Sequence, residues 1–152
     1  MRKKLKVLSE ILDEQVKDAR RIAHDSRESA REINRVASAS PSSSGDREHA
    51  VNQAVLNENK FKDLLNFQKK IIDSVDKPIP NSVEPVCFVL LRFEDRKELG
   101  VYLVQSSIHL KDFVMVTTNS PLGAAINGKK VGEKFKYYFH GNTRSGIVVG
   151  IE

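Results

Sequence analysis

Apolar or small residues recur at Leu5, Leu8, Leu12, Val16, Ala19, Ala23, Ser26, Ala30, Ile33 and Ala37. Steps of three and four place them on one helix face, with no proline or glycine between them. A helix over Leu5–Ala37 rises about 1.5 Å per residue and spans roughly 50 Å. The pattern stops at Ser38-Ala39-Ser40-Pro41-Ser42-Ser43-Ser44-Gly45-Asp46. It resumes over roughly Glu48–Val75, at Val51, Ala54, Val55, Phe61, Leu64, Leu65, Ile71, Ile72 and Val75. Proline and glycine inside a serine run break a helix. Two helices folded back on each other are therefore expected, rather than one long helix of an intermolecular coiled coil. The bulky residues of both segments lie far from the turn. Leu5, Leu8, Leu12 and Val16 should accordingly pack against Phe61, Leu65, Ile72 and Val75 in an antiparallel pair.

Lys77-Pro78-Ile79-Pro80-Asn81 ends the second helix and marks a domain boundary. Beyond it the period changes to that of strands, predicted at Cys87–Phe93, Leu99–Gln105, Phe113–Thr117, Lys134–Phe139 and Ser145–Ile151. Turns at Glu94-Asp95-Arg96-Lys97 and His140-Gly141-Asn142 separate some of them. Ser120 followed by Pro121 is a helix start, and Gly128 a helix end, so Ser120–Asn127 predicts one short helix. The fold class is α+β. An antiparallel α-helical coiled-coil hairpin occupies 1–77, with its tip at 38–48, and an antiparallel β domain with one short helix occupies 78–152.

Composition adds mainly exclusions. Charged residues make up 30% of the chain and no apolar run is long enough to span a membrane, so no membrane association is expected. Acids soon interrupt the basic N-terminus MRKKLKVLSEIL, which does not read as a signal peptide. The single cysteine, Cys87, lies in an apolar run and reads as a buried, inert thiol. A cytoplasmic protein fits these features. The net charge of +5 is spread out, with 16 Lys and Arg against 13 acids over 1–77 and 9 against 7 over 78–152. Such a balance permits contact with nucleic acid or an acidic partner without demanding it.

Two constellations could carry chemistry. Asp46 and Glu48 lie at the far end of the hairpin. Carboxylates hold Mg²⁺ through one or two oxygens while water and phosphate complete the shell, so two tip acids can complete a site that another macromolecule supplies. Equally, Asp46 can be a helix cap and Glu48 a first-turn acid. Arg20, His24, Arg27, Arg31 and Arg35 form a second constellation, a basic stripe along one helix face. It can follow a phosphate backbone, or be a solvated surface neutralised by Asp25, Glu28 and Glu32. The four histidines show no metal-ligand spacing, and no nucleotide-binding or nucleophile motif is present, which argues against a self-contained active site.

The segment Thr118-Asn119-Ser120-Pro121-Leu122-Gly123-Ala124-Ala125-Ile126-Asn127-Gly128-Lys129-Lys130-Val131-Gly132 resembles the C-terminal motif of the GreA/GreB transcript-cleavage factors. The order of hairpin, proline boundary and β head resembles that family as well, over nearly the whole chain. A shorter Gre-like branch, with a serine-rich turn before Gly-Asp, is the nearest match. The resemblance implies an FKBP-like head that docks on bacterial RNA polymerase at the rim of its secondary channel. Ser120, Pro121, Leu122, Gly123, Gly128 and Lys129 are the docking candidates. It implies a hairpin that enters the channel, with Arg27, Arg31 and Arg35 near the nascent RNA 3′ end of the elongation complex. Asp46 and Glu48 would then help hold the polymerase's Mg²⁺ while the polymerase hydrolyses backtracked RNA. The chain would have no cofactor and no stable metal of its own, and would act as a monomer that stimulates an enzyme.

The sequence departs from the family pattern at His49, where the second tip acid usually stands, since Glu48 comes one residue early. Ala124 and Asn127 replace an arginine and an apolar residue. The departures leave a channel-occupying regulator without cleavage as an alternative, and the expected FKBP-like head leaves a prolyl isomerase or chaperone as another.

Overall fold

The computed structural model describes residues 2–37, 44–106 and 108–152. Its elements are α1 (Lys3–Ala37), α2 (Ser44–Val75), β1 (Cys87–Phe93), β2 (Glu98–Val104), β3 (Met115–Thr117), α3 (Pro121–Ile126), β4 (Lys134–Phe139) and β5 (Asn142–Ile151). Both long helices, all five strands and the short helix stand close to where the periodicity puts them. The serine-rich turn over 38–43 lies outside the described residues. Helix α2 begins earlier than the apolar pattern suggests, at Ser44, and takes Gly45 and Asp46 into its first turn. An acid there complements the helix dipole. The chain divides into two compact units, 10–69 and 1–9 with 70–152.

In the first unit, Leu12, Val16, Ala23 and Ala30 of α1 are buried, as the pattern predicts. On α2 the seam differs from the expected one. Leu64, Phe67 and Gln68 are buried, whereas Val51 and Val55 are exposed. The least exposed α2 positions here follow Ala50, Ala54, Asn57, Phe61, Leu64 and Gln68, an alternation of three and four that includes polar residues. Reading apolar residues alone misses it. The polar members have partners: Asn57 Nδ2 donates to Ser26 Oγ, and Gln68 Nε2 reaches Asp13 Oδ1 at 3.4 Å. A hydrogen bond from Lys17 holds the Asp13 carboxyl below its ordinary range. The Arg20 guanidinium sits 5.5 Å from the centroid of the Phe61 ring, covering an aromatic on the seam.

In the second unit, Leu5 and Leu8 of α1 and Ile71 and Ser74 of α2 are buried, and Ile72, an expected seam residue, is 51% exposed. The sheet has the order β3-β2-β1-β5-β4. Its β1–β2, β1–β5 and β4–β5 pairs are antiparallel. The β2–β3 pair is parallel, with Tyr102 opposite Met115 and Val104 opposite Thr117, so the sheet is mixed rather than antiparallel. The ten residues between Val104 and Met115 let the chain cross back before pairing. Strand β3 is also shorter than expected, beginning at Met115, and the Phe113 ring before it lies 5.7 Å from that of Tyr102. One sheet face forms a core of Val89, Leu91, Val101, Leu103, Phe135 and Val148, closed by Val83 and Ile126.

Cys87 is fully buried in this core, and burial pushes its thiol up to about 11. A folded pKa above the unfolded value stabilises the fold fully below the unfolded pKa, and that contribution is lost as pH rises through the folded one. Cys87 should thus contribute stability that fades between its ordinary value of 9.0 and about 11. Urea melts of wild type and Cys87→Ala across this window should show a gap that narrows as pH rises by roughly 2–3 kcal/mol. A constant gap would sink the assignment.

Candidate functional site

Asp46 and Glu48 are both exposed on the first turns of α2. Asp46 lies within the helix rather than capping it. Among the described residues neither carboxylate has a hydrogen bond or ion pair. Two residues on a helix are separated by about 200° of rotation, so the two carboxylates point apart. His49, three residues after Asp46, lies nearer its face. Among the described residues no cluster of three or more His, Cys, Asp or Glu side chains could hold a metal ion. The arrangement offers one acid, with a histidine beside it, rather than a converging pair.

The basic stripe is paired along its length. Arg31 Nη1 lies 2.9 Å from Glu28 and Arg35 Nη2 lies 2.7 Å from Glu32, each one helical turn back, while Arg27 crosses to Glu58 on α2 at 3.3 Å. These are exposed pairs, each worth about 0–1 kcal/mol, weak enough for a phosphate to displace the carboxylate. The geometry is compatible with a solvated face and with RNA contact.

The Ser120–Lys129 candidates divide into two groups. Ser120 and Gly123 serve the fold. Ser120 caps α3: its Oγ accepts from Gly123 N at 3.1 Å and donates to Thr117 O at 2.7 Å. Gly123 is buried, and a Cβ there would fall 1.8 Å from Thr117 O. Leu122 is half-buried against the core. Gly128, at φ +80°, takes the left-handed turn that ends the segment. Its N–H donates to Val83 O at 2.7 Å, and Lys129 O accepts from Val83 N at 2.7 Å. Pro121 is exposed and Lys129 half-exposed, so these two side chains are the most available to a partner.

Arg2 and Glu152 escaped the sequence reading. Arg2 is 3% exposed, and its guanidinium donates to Val86 O and Pro78 O, both at 2.7 Å. Glu152 Oε1 accepts from Lys4 N at 2.7 Å, capping the start of α1. Each acts over more than seventy residues of sequence, so no local pattern announces it.

Solved structures similar to this chain include a GreA/GreB transcription elongation factor and the transcription factor Gfh1. One is the GreA/GreB factor from Nitrosomonas europaea, at 20% identity over 50% of this chain and 64% of that one, with a TM-score of 0.41. Gfh1 of Thermus aquaticus is similar at 17% identity over 89% of this chain and 92% of that one, with a TM-score of 0.43. GreA factor homolog 1 of Thermus thermophilus is similar at 18% identity over 99% and 93%, with a TM-score of 0.40. The chain thus spans just under two thirds of the length of the Nitrosomonas protein. No family model matches the chain, and no curated protein matches it.

Proposed function

We propose that this protein is a Gre-like factor that binds bacterial RNA polymerase, inserts its helical hairpin into the secondary channel and stimulates cleavage of backtracked RNA. The observation that carries the reading is Asp46, exposed and unpaired among the described residues, in the first turn of α2. Asp46 supplies one or two oxygens to a Mg²⁺ that the polymerase holds, and Arg27, Arg31 and Arg35 exchange their carboxylates for RNA phosphates. The chain performs no hydrolysis itself. Its Asp46 would add a ligand to the Mg²⁺ that the polymerase holds, and two such ions would supply stabilisation of the attacking and leaving oxygens.

A second reading, a channel-occupying regulator without cleavage, is favoured by the divergence of Asp46 and Glu48 and by His49 standing beside Asp46 where a second carboxylate would complete a pair. One assay separates them: RNA shortening in a stalled, backtracked elongation complex at limiting Mg²⁺. Wild type should accelerate cleavage, and Asp46→Asn should abolish the acceleration while still competing with a Gre factor for polymerase. Equal cleavage by both proteins would remove Asp46 from the metal. Competition without cleavage by wild type would select the second reading.

A further inference from the structure

The β4–β5 hairpin carries a feature that the proposed function does not use. Residues 129–144 contain Lys129, Lys130, Lys134, Lys136 and Arg144 against the single acid Glu133. The rest of 78–152 holds four cations against six acids, so the head's positive charge is gathered on this segment, with Lys129 and Lys130 in the loop before β4 and Lys134, Lys136 and Arg144 on the hairpin. Among the described residues none of these five side chains has an ion-pair or hydrogen-bond partner. In contrast, Arg92 on neighbouring β1 is held by Glu98 at 2.7 Å.

Exposed aromatics accompany the charge. Strand alternation sends Phe135 and Tyr137 to the core side, where their rings stack 6.4 Å apart, and Lys134, Lys136 and Tyr138 to the other side. Tyr138 is 66% exposed and Phe139 is 50% exposed. The tip is rigid: His140 at φ +48° and Gly141 at φ +79° make a two-residue turn of the mirror-image type that tight hairpins favour. The Phe139 ring is braced edge-on by His140 at 4.0 Å. Strand β4 is a sheet edge, so nothing flanks it on its outer side within the sheet. Beside it lies an open cleft of about 770 Å³, where Arg92, Lys129, Lys134 and Lys136 outnumber the one acid in its lining, Glu94.

Lys134, Lys136 and Tyr138 repeat about every 6.6 Å along the strand, comparable with an extended nucleotide. Two cations in line with an exposed ring, on one face of a strand, are the components of a single-strand platform: phosphates track the charge and a base stacks on the aromatic. We infer that the outer face of β4, through Lys134, Lys136 and Tyr138, binds single-stranded nucleic acid at a site separate from the arginine stripe of α1. An acidic peptide would satisfy the lysines but leave Tyr138 unused.

The test is fluorescence anisotropy of a labelled oligo-dT with the full chain across a salt series. Tyr138→Ala should weaken binding by roughly five- to hundredfold, and Tyr138→Phe should restore it. Lys134→Ala with Lys136→Ala should lower the salt slope by about 1.4, at about 0.7 per lost phosphate contact. All three positions are exposed, so melting curves should match wild type. Wild-type affinity in these variants would overturn the inference, as would loss of binding in Arg27→Ala with Arg31→Ala alone, which would assign the oligonucleotide to α1. Competition by poly-glutamate equal to that by oligo-dT at matched charge, with no effect of Tyr138→Ala, would overturn it in favour of an acidic peptide.

Discussion

Gly123→Ala is expected to lower the melting temperature of the protein by about 15 °C or more, from a single added methyl group. A Cβ at Gly123 would stand 1.8 Å from the carbonyl oxygen of Thr117 and 2.7 Å from its carbonyl carbon. Both are backbone atoms, so no side chain can swing aside. Thr117 is fixed from both sides. It ends β3, and its oxygen accepts from Ser120 N at 3.0 Å and from Ser120 Oγ at 2.7 Å. Relieving the clash moves α3 off the end of β3 and withdraws Ile126 and Leu122 from the core. Overpacking of a tight core, with the backbone shifts it forces, costs about 1–3 kcal/mol and occasionally more, and a clash with two fixed backbone atoms lies at the upper end. For a domain of this size about 3 kcal/mol corresponds to roughly 15 °C. The control is one residue away: Ala124 is exposed, and Ala124→Ser should melt as wild type. Calorimetry on both variants decides the matter, and a Gly123→Ala protein within a few degrees of wild type would refute the packing argument. A loss of polymerase binding at Gly123 would accordingly report a damaged head. Substitutions of Pro121 or Lys129 test docking more cleanly.

The case of Gly123 shows how the sequence could be read and where it fell short. Ser120, Pro121 and Gly128 announce a capped short helix through local chemistry, and the helix stands where they put it. The α1 seam was equally legible, because every seam residue is apolar or small. The α2 seam was not. Asn57 and Gln68 occupy core positions because Ser26 and Asp13 face them, and a partner on another helix leaves no trace in a residue's own neighbourhood. The displaced expectation at Ile72 follows from the same cause, since counting only apolar residues rotates the apparent seam. The parallel β2–β3 pair was hidden for a related reason: direction depends on where a ten-residue connection leads, not on the strands' composition. Within the candidate site, residue types and positions were legible, as were the acids neighbouring Arg31 and Arg35. The divergence of Asp46 from Glu48 follows from helix period alone once both are known to lie in α2. The capping of α1 by Glu152 was out of reach.

Arg2→Ala should destabilise the protein by about 3 kcal/mol, although the residue stands at the second position of the chain, where substitutions are usually harmless. Its burial sets this one apart. At 3% exposure the guanidinium has left water, and it is compensated by two carbonyls, Val86 O and Pro78 O, at 2.7 Å each. Hydrogen bonds from a charged donor contribute about 1.5–3 kcal/mol each, and removing the donor strands both carbonyls in a dry site. Against this stands the cost of burying the charge, raised because Arg2 Nε is itself buried without a partner among the described residues. The balance favours the native arginine because its fork reaches two segments at once. The backbone adds a third tie, Arg2 N to Val75 O at 3.0 Å, so one residue fastens the start of α1 to the end of α2 and to both ends of the 78–86 linker. Arg2→Lys should recover only part of the loss, because a single ammonium on a flexible stem cannot reproduce the fork. Lys3→Ala, at an exposed neighbouring cation, should stay within about 0.5 kcal/mol of wild type. Urea melts of the three variants test the order. If Arg2→Ala and Lys3→Ala unfold at the same urea concentration, the buried fork contributes nothing. If Arg2→Lys equals wild type, charge alone holds the segment and the two-carbonyl geometry is irrelevant.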